Sequence, residues 1–209
     1  MSDPPPALPP TDHAGLRRHR LRWLSQPWDL VLPGQDLRVR GARTADVDAL
    51  LLMHGRCSPA TLSRRYRTPD PRPPRALLRR LVTAELPLVA VAAPNRVVAL
   101  ATLTPMDDRT VHLGLLVEDA FQRRGIGRAL AAHSAAAARL LGYRHLHASV
   151  AAGDGWAEKT LLRLGIAAVE RDDEDEVVAT LGLGALAGLA EPGSSLRPGD
   201  GTVRPAGTR

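Results

Sequence analysis

Residues 117–127 read VEDAFQRRGIG, and this stretch decides the fold because it lies between two long patterned segments. The preceding Thr110–Val117 is rich in Val and Leu, which is typical of a buried β-strand. The following Gly125–Leu141 carries apolar residues at helical spacing, and Gly142 predicts where that helix ends. The sequence therefore predicts a strand, a glycine-containing loop and a long helix in direct succession.

This loop has the composition of an anion-binding site. The first N–H groups of a helix have no partner within it, and the helix dipole adds positive potential there. Gly125 and Gly127 have no side chains, so phosphate oxygens can approach the backbone closely. Arg123, Arg124 and Arg128 can each donate two hydrogen bonds to a phosphate. The alternative is a helix start whose arginines are only solvated, since the spacing matches neither the dinucleotide-binding G-x-G-x-x-G nor the P-loop motif.

On both sides of this loop, strand-like and helix-like segments alternate. Candidate strands are Trp28–Leu32, Leu37–Gly41, Pro87–Ala93, Arg96–Thr104, Thr110–Val117, His145–Val150, Ala167–Arg171 and Val177–Leu181. Candidate helices are Thr44–Arg56, a segment starting at Ser58–Pro59, another starting at Pro73–Pro74, Gly125–Leu141 and Trp156–Leu164. Because the strands occur both as hairpins and as strand–helix–strand units, the sequence predicts an α/β (α+β) fold with a mixed sheet covered by helices.

Composition divides the chain into three parts. Residues 1–26 begin Pro-rich and continue as a basic patch; the Pro-rich part buries too little apolar surface to fold, so we expect a disordered arm. The alternative is a short helix over Leu16–Trp23. Residues 185–209 are rich in Gly and Pro, and we expect a disordered tail there. Residues 27–184 carry the periodic patterns and form the one predicted domain.

Composition also excludes several classes of protein. Apolar residues make up 44% of the 209 residues but aromatic residues only 3%, so the core must consist of Ala, Leu and Val. The single cysteine, Cys57, excludes a disulfide framework and a multi-cysteine zinc site, and we expect no metal. The apolar runs are too short for a membrane helix, and the prolines near the N-terminus do not fit a signal peptide. We therefore expect a cytoplasmic protein without a membrane partner.

Gln122–Gly127 resembles the [Q/R]-x-x-G-x-[G/A] signature of the GNAT superfamily of N-acetyltransferases, which binds the pyrophosphate of acetyl-CoA. The resemblance covers roughly Trp28–Gly184 and includes Asp36–Asp48, Ser58–Tyr66 and the segment from Asp154 to Leu164-Gly165-Ile166. The arrangement is most similar to bacterial protein-lysine acetyltransferase domains. It implies the GNAT fold, a mostly antiparallel central sheet flanked by helices, in which two neighbouring strands splay apart and bind acetyl-CoA as co-substrate.

In that family the strand before the loop pairs through its backbone with the pantetheine amides, and the loop binds the pyrophosphate. The cofactor-binding residues that the resemblance implies are Leu115, Leu116, Val117, Gln122, Arg123, Arg124, Gly125, Ile126, Gly127, Arg128 and Asp154. Asp154 stands where the family usually has Asn, and a carboxylate keeps the acceptor of that amide but loses its donor. A second interpretation makes Asp154 the N-cap of the candidate helix that follows.

A lysine amine with a pKa of about 10.4 must lose a proton before it attacks a thioester, so a proton acceptor is needed. Protein acetyltransferases often have a glutamate early in the strand before the loop, and the matching position here is His112. With a reference pKa of about 6.5, His112 would serve as the catalytic base without help from burial; alternatively, it only fills the acceptor cleft. Many relatives have a tyrosine that protonates the leaving thiolate where this chain has Leu161, and Tyr66 is a candidate substitute. Cys57 is expected to be packed rather than nucleophilic.

The arginines are concentrated in Arg38–Arg80, which contains eleven of them against three aspartates. One interpretation is a surface that attracts an acidic acceptor; the other is a solvated helical face.

The leading hypothesis is an acetyl-CoA-dependent N-acetyltransferase. It would transfer an acetyl group to a primary amine, of a protein lysine or a small molecule, by direct attack within a ternary complex. The second hypothesis is a catalytically degenerate relative that binds CoA as a sensor or interaction module. A nucleic-acid-binding module is disfavoured, because two tyrosines and one phenylalanine leave little to stack on bases. The sequence leaves the oligomeric state open.

Overall fold

The computed structural model describes residues 13–67, 72–151, 168–171, 176–182 and 202–205. The helices are α1 His13–Leu24, α2 Val47–Gly55, α3 Pro59–Tyr66, α4 Arg75–Leu81 and α5 Ile126–Leu140. The strands are β1 Trp28–Leu32, β2 Gln35–Gly41, β3 Leu86–Ala92, β4 Arg96–Pro105, β5 Thr110–Val117, β6 His145–Ala151, β7 Ala168–Arg171, β8 Glu176–Gly182 and β9 Thr202–Pro205. Short 3₁₀ turns at Thr44–Asp46 and Asp119–Phe121 precede α2 and the loop before α5.

The strands form one sheet in the order β7-β8-β6-β5-β4-β3-β2-β1-β9. Neighbouring strands pair antiparallel, except β5 and β6, which run parallel. A parallel pair needs a crossover connection, and α5 supplies it by carrying the chain from β5 to β6. The predicted α/β fold with a mixed, mostly antiparallel sheet flanked by helices is confirmed.

Side chains on the central strands alternate between two faces, and each face has its own core. On β3, Leu88 packs in the cluster with α1 and α5, whereas its neighbour Val89 packs in the cluster with α2, α3 and α4. Most of the largest fully buried side chains are leucines, as the scarcity of aromatic residues predicted. Each such burial contributes about 1.5–3 kcal/mol relative to an exposed side chain.

Local capping signals fix the helices on the α2–α4 face. Ser58 accepts a hydrogen bond from the Thr61 amide at 3.2 Å, and Pro59 occupies the first turn of α3, as predicted. The candidate helix Thr44–Arg56 is instead a 3₁₀ turn followed by α2. The reason is that the Asp46 carboxylate bonds back to the Arg43 amide at 2.7 Å, which tightens the entry into the helix.

The structure differs from the disordered arm expected for residues 1–26, because α1 occupies the second half of that segment. Leu24 at the end of α1 is 2% exposed and belongs to the core. Arg17 donates a hydrogen bond to the Leu141 carbonyl at 3.1 Å and another to the Tyr143 hydroxyl at 2.6 Å. Arg17, together with Arg20, whose Nη1 donates to the Leu140 carbonyl at 2.7 Å, therefore docks the helix on the end of α5.

A second difference lies in the expected C-terminal tail. There β9 pairs antiparallel with β1 at the edge of the sheet, with Val203 opposite Leu30. Thr and Val favour extended backbone, and the open edge of β1 supplies hydrogen-bond partners. The rest of residues 185–209 and the candidate helix Trp156–Leu164 lie outside the described residues. Within the described part of the chain, no helix is long and apolar enough to cross a membrane.

Candidate active site

The loop between β5 and α5 has the backbone of an anion-binding turn. Arg123 has a φ of 58° and Gly125 a φ of 90°, so both lie in the left-handed region. Glycine adopts this region freely, whereas a residue such as Arg123 does so at a cost of about 1–3 kcal/mol. The first bond into α5 runs from the Ala129 amide to the Gly125 carbonyl at 3.0 Å. The N–H groups of Ile126 and Gly127 therefore have no acceptor within the helix.

The side chains of the predicted loop residues divide into exposed cations and groups that are partly or fully buried. Arg123 and Arg124 are exposed. The Arg124 guanidinium carbon lies 5.5 Å from the centroid of the Phe121 ring, and its Nη1 donates to Gln35 Oε1 at 3.3 Å. Ile126 is 1% exposed, so only its backbone is available to a ligand. The other loop residues are partly or fully buried: Gln122, Gly125, Gly127 and Arg128.

Side-chain hydrogen bonds tie this loop to the start of α3. The Asp119 carboxylate accepts from the Ser58 amide and from the Thr61 hydroxyl, both at 2.9 Å. Gln122 Nε2 donates to the same Thr61 oxygen at 3.1 Å and to the Val117 carbonyl at 3.0 Å. Burial raises the pKa of Asp119, but the hydrogen bonds from Ser58 and Thr61 outweigh it and hold that pKa below its ordinary value. Gln122, assigned to cofactor binding from sequence, thus also fixes the loop on α3.

A buried carboxylate that the sequence did not single out stands between β5 and the loop. Glu118 is 2% exposed, and it pairs with Arg56, whose Nε lies 3.0 Å from Glu118 Oε2, and with Arg96. A carboxylate at this depth is tolerated because two cations compensate its desolvation. No local pattern signals the pair, because Arg56 lies 62 positions earlier in the chain.

The two parallel strands separate beside the loop. Their ladder ends at the pair His112–His147, although β5 continues for five residues and β6 for four. This separation is the one that the predicted fold requires. Leu115 and Val117 pack against the α5 face, and Leu116 is buried on the opposite face. The side chains of these three residues pack in the two cores, which leaves their main-chain groups as the polar groups of this part of β5.

His112 lies at the point where the strands separate. Its strand neighbours Val111 and Leu113 belong to the α5-side core, so the His112 side chain points to the α3 side of the sheet. Its ring centroid lies 5.5 Å from that of His147. Burial, with smaller contributions from the charges of Arg65 and His147, lowers the pKa of His112 to about 4. The expectation that His112 titrates near its reference value is therefore wrong: the ring is neutral at physiological pH.

Tyr66, the candidate substitute for the missing tyrosine, lies at the end of α3. Its hydroxyl lies 2.6 Å from His54 Nε2, and His54 Nδ1 lies 2.6 Å from the Leu50 carbonyl oxygen. A carbonyl only accepts, so Nδ1 carries the proton and Nε2 accepts from the Tyr66 hydroxyl. Burial raises the pKa of Tyr66 to about 12 and lowers the pKa of His54. Both side chains stay neutral, and the proton of Tyr66 is directed at His54.

Arg65, which the sequence offered only as one of many arginines, extends from α3 across β5. Its Nη2 lies 3.5 Å from Thr102 Oγ1, and its guanidinium carbon lies 5.2 Å from the centroid of the Tyr66 ring. A Cβ added to Gly114 would collide with the guanidinium. The missing side chain at Gly114 therefore makes room for Arg65 on the same face of β5 as His112.

The sequence also singled out Asp154, Leu161 and Cys57. Asp154 and Leu161 lie outside the described residues. Cys57 is 8% exposed, with its Sγ 3.4 Å from the Met53 carbonyl oxygen, and burial raises its pKa to about 12. It is packed rather than nucleophilic, as predicted.

The fold is similar to solved structures of acetyltransferases. The GNAT domain of S. lividans PAT superposes with a TM-score of 0.68 at 24% identity, covering 75% of this chain and 96% of that one. The yncA protein of Salmonella typhimurium, solved with its cofactor acetyl-CoA, superposes with a TM-score of 0.57 at 19% identity, covering 70% of this chain and 94% of that one. Mycobacterium smegmatis RimJ, in complex with CoA-disulfide, superposes with a TM-score of 0.60 at 12% identity, covering 78% of this chain and 90% of that one. At these identities the likeness shows a shared fold.

Sequence comparison reaches the level of the family. No protein of curated function matches the chain. Residues 58–166, more than half of the 209 residues, match the model of the acetyltransferase (GNAT) family. The matched span begins at the Ser58 cap of α3 and includes β5, the loop, α5 and β6. The chain belongs to the acetyltransferase (GNAT) family.

Proposed function

We propose that this chain is an acetyl-CoA-dependent N-acetyltransferase whose acceptor is a primary amine, the side chain of a protein lysine. The observation that carries the proposal is the position of the loop. The left-handed backbone at Arg123 and Gly125 leaves the N-terminus of α5 open. This loop follows β5, the strand whose pairing with β6 ends at His112. Supporting it, yncA is solved with acetyl-CoA and RimJ with CoA-disulfide.

The end of β5 and the start of α5 fit the two polar parts of acetyl-CoA, which are the pantetheine amides and the pyrophosphate. The main chain of Leu115–Val117 would pair with the pantetheine amides, because these side chains are engaged in the cores. The pyrophosphate would lie on the N–H groups of Gly125–Gly127, where the helix dipole favours negative charge. The exposed guanidinium groups of Arg123 and Arg124, with Arg128 on the first turn of α5, add positive charge beside those amides.

The chemistry supplied by bound acetyl-CoA is an activated acyl carbonyl, to which the amine nitrogen bonds as the C–S bond breaks and CoA leaves as a thiolate. The ammonium loses its first proton to solvent, because an imidazole with a pKa of about 4 is too weak a base to remove it. The neutral imidazole of His112 takes the second proton, which the nitrogen becomes acidic enough to lose as the N–C bond forms. Because its pKa is about 4, His112 does not retain this proton but passes it to solvent. Arg65 contributes to this behaviour, since its positive charge disfavours a second charge on His112.

One observation favours the non-catalytic alternative, a CoA-binding sensor. The Tyr66 hydroxyl, the candidate proton donor for the thiolate, already donates a hydrogen bond to His54. Without a further donor, the thiolate would be protonated by solvent, and acetyl transfer would lack the rate contribution of a general acid.

Calorimetric titration with acetyl-CoA, followed by turnover with a panel of lysine peptides and small amines, tests the proposal. We expect binding of acetyl-CoA and thioester turnover with at least one lysine peptide. Binding without turnover on any acceptor would favour the sensor, and no binding at all would contradict both functions.

A further inference from the structure

Arg65 is a cation held against the sheet without a matching anion. Four arginines of the segment Arg38–Arg80 pair with carboxylates: Arg38 with Asp29 at 2.6 Å, Arg40 with Asp46 at 2.7 Å, Arg56 with Glu118 at 3.0 Å, and Arg75 with Asp48. Among the described residues, no carboxylate contacts Arg65. Within the described part of the chain, its Nη2 makes only a long polar contact, 3.5 Å from Thr102 Oγ1, and its Nε is buried without a hydrogen-bond partner.

This arrangement is costly if it serves packing alone. Burial lowers the pKa of Arg65, which means that the folded chain disfavours the charged form. The contact with the Tyr66 ring offsets part of this cost, but a ring face does not satisfy the buried Nε–H. A carboxylate would satisfy the Nε–H, because a guanidinium and a carboxylate form two parallel charge-assisted hydrogen bonds.

The position of Arg65 relates it to the reacting amine. Its guanidinium lies on Gly114, two residues from His112 on the same face of β5, which is a separation of about 7 Å along a strand. An acceptor whose amine reaches His112 would therefore have its neighbouring atoms beside Arg65.

We propose that Arg65 binds a carboxylate of the acceptor, so that the acceptor class is an amine with a carboxylate a few bonds or one residue away. This inference rests on the proposed acetyltransferase function and names the substrate class of that site. The carboxylate belongs either to an amino acid or to an acidic residue beside a lysine, and the chemistry that Arg65 recognises is the same.

Two matched pairs of acceptors test the inference with the full-length chain. L-Lysine and cadaverine differ only in the carboxylate, and two lysine peptides are made to differ only by Glu or Gln beside the lysine. We expect kcat/KM to favour the carboxylate-bearing member of at least one pair, roughly 10- to 100-fold. The pair that shows the preference identifies the source of the carboxylate.

Variants assign the preference to Arg65. Arg65→Gln should abolish it and Arg65→Lys should retain part of it, while KM for acetyl-CoA stays unchanged in both. Arg80→Gln, which removes the same charge from an exposed position on α4, is the control and should keep the preference. Gly114→Ala is a second route, because its Cβ displaces the guanidinium without removing the charge.

The outcomes separate this inference from the function on which it rests. Acetylation of amines with no preference in either pair, or with the same preference in Arg65→Gln as in the parent, overturns the role of Arg65 and leaves the acetyltransferase standing. If acetyl-CoA binds and no amine is acetylated, the proposed function falls, and the inference falls with it.

Discussion

The two ends of α5 both carry a left-handed glycine, but the chain completes only one of them. At the C-terminal end, Gly142 has a φ of 94°, and Arg17 and Arg20 of α1 donate hydrogen bonds to the last carbonyls at 3.1 and 2.7 Å. At the N-terminal end, Gly125 has a φ of 90°, and exposed arginines surround N–H groups that have no acceptor within the helix. The same type of side chain closes one end and leaves the other open.

The difference separates a structural helix end from a binding one. Helix-end carbonyls need donors, and cations near them also offset the negative end of the dipole. At the other end the dipole is positive, so added arginines there increase the repulsion unless an anion is present. Arginines at a helix N-terminus are therefore unfavourable for folding and favourable for binding a phosphate.

The largest expected effect is on acetyl-CoA affinity when the open end is blocked. Gly125→Val puts a branched residue at a φ of 90° and its Cβ 3.4 Å from Leu32, so we expect the turn to shift and the N–H groups of Ile126 and Gly127 to lose their alignment with the phosphate. The affinity should fall roughly 100-fold, by loss of charge-assisted hydrogen bonds. Gly142→Val is the matched control, because it imposes the same left-handed strain of about 1–2 kcal/mol at the closed end. Calorimetry gives the affinity and thermal unfolding gives the stability of both. Equal losses of affinity in the two variants would break the distinction between the ends.

A smaller effect is expected at the closed end. Arg17→Ala removes hydrogen bonds to Leu141 and Tyr143 and a salt bridge to Glu85, whose side chain is largely buried. We expect the free energy of unfolding to fall by about 1–2 kcal/mol, with acetyl-CoA affinity unchanged. Denaturant unfolding measures this loss, and Arg18→Ala, at an exposed position of the same helix, is the control. A loss of affinity without a loss of stability would mean that α1 serves the ligand instead.

Loosening the loop should have a still smaller effect, on both stability and acetyl-CoA affinity. Asp119→Ala removes the acceptor for Ser58 and Thr61, and we expect a loss of about 1 kcal/mol of stability together with a few-fold higher KM for acetyl-CoA. The pKa of Asp119 is lowered in the folded chain, so its contribution is complete above the unfolded value of about 3.9 and is lost as pH falls through the lower folded value. A variant whose stability differs from the parent at pH 7 but not at pH 2 would agree with this assignment.

The smallest effect on stability near neutral pH is expected at His112, although substitution of this proposed proton acceptor should lower the rate of acetyl transfer at that pH. Its pKa of about 4 lies below the unfolded value of about 6.5, so the unfolded chain binds more protons between these values and stability rises with pH there. His112→Gln should flatten that part of the stability profile. It should also remove any acidic limb near pH 4 from the rate profile. Between pH 7 and 8, the pH dependence of stability should be the same in the variant and the parent. An acidic limb near pH 6.5 that survives in the variant would belong to another group.

The sequence predicted those elements whose signals are local. The Ser58 cap, the terminating Gly142 and the Val- and Leu-rich strands are all patterns within a few residues, and α3, the end of α5 and β3–β5 begin or end within a few residues of the expected positions. The motif around Gly125 was recognisable for the same reason.

The features that the sequence did not predict depend on partners far along the chain. Docking of α1 needs Arg17 to meet Leu141, 124 positions away, and β9 needs the open edge of β1. The low pKa of His112 results from burial and from Arg65, which comes to β5 only when α3 packs on the sheet. From composition alone, arginines such as Arg17 and Arg65 would be expected to be solvated.

The most direct test of phosphate binding at the open end of α5 is a titration of the isotope-labelled protein with acetyl-CoA, followed through the backbone amide signals of its glycines. We expect the signals of Gly125 and Gly127 to shift strongly and saturate together, while the signal of Gly142 at the closed end of the same helix does not move. Saturable binding that shifts Gly142 but leaves Gly125 and Gly127 unchanged would contradict phosphate binding at the open end.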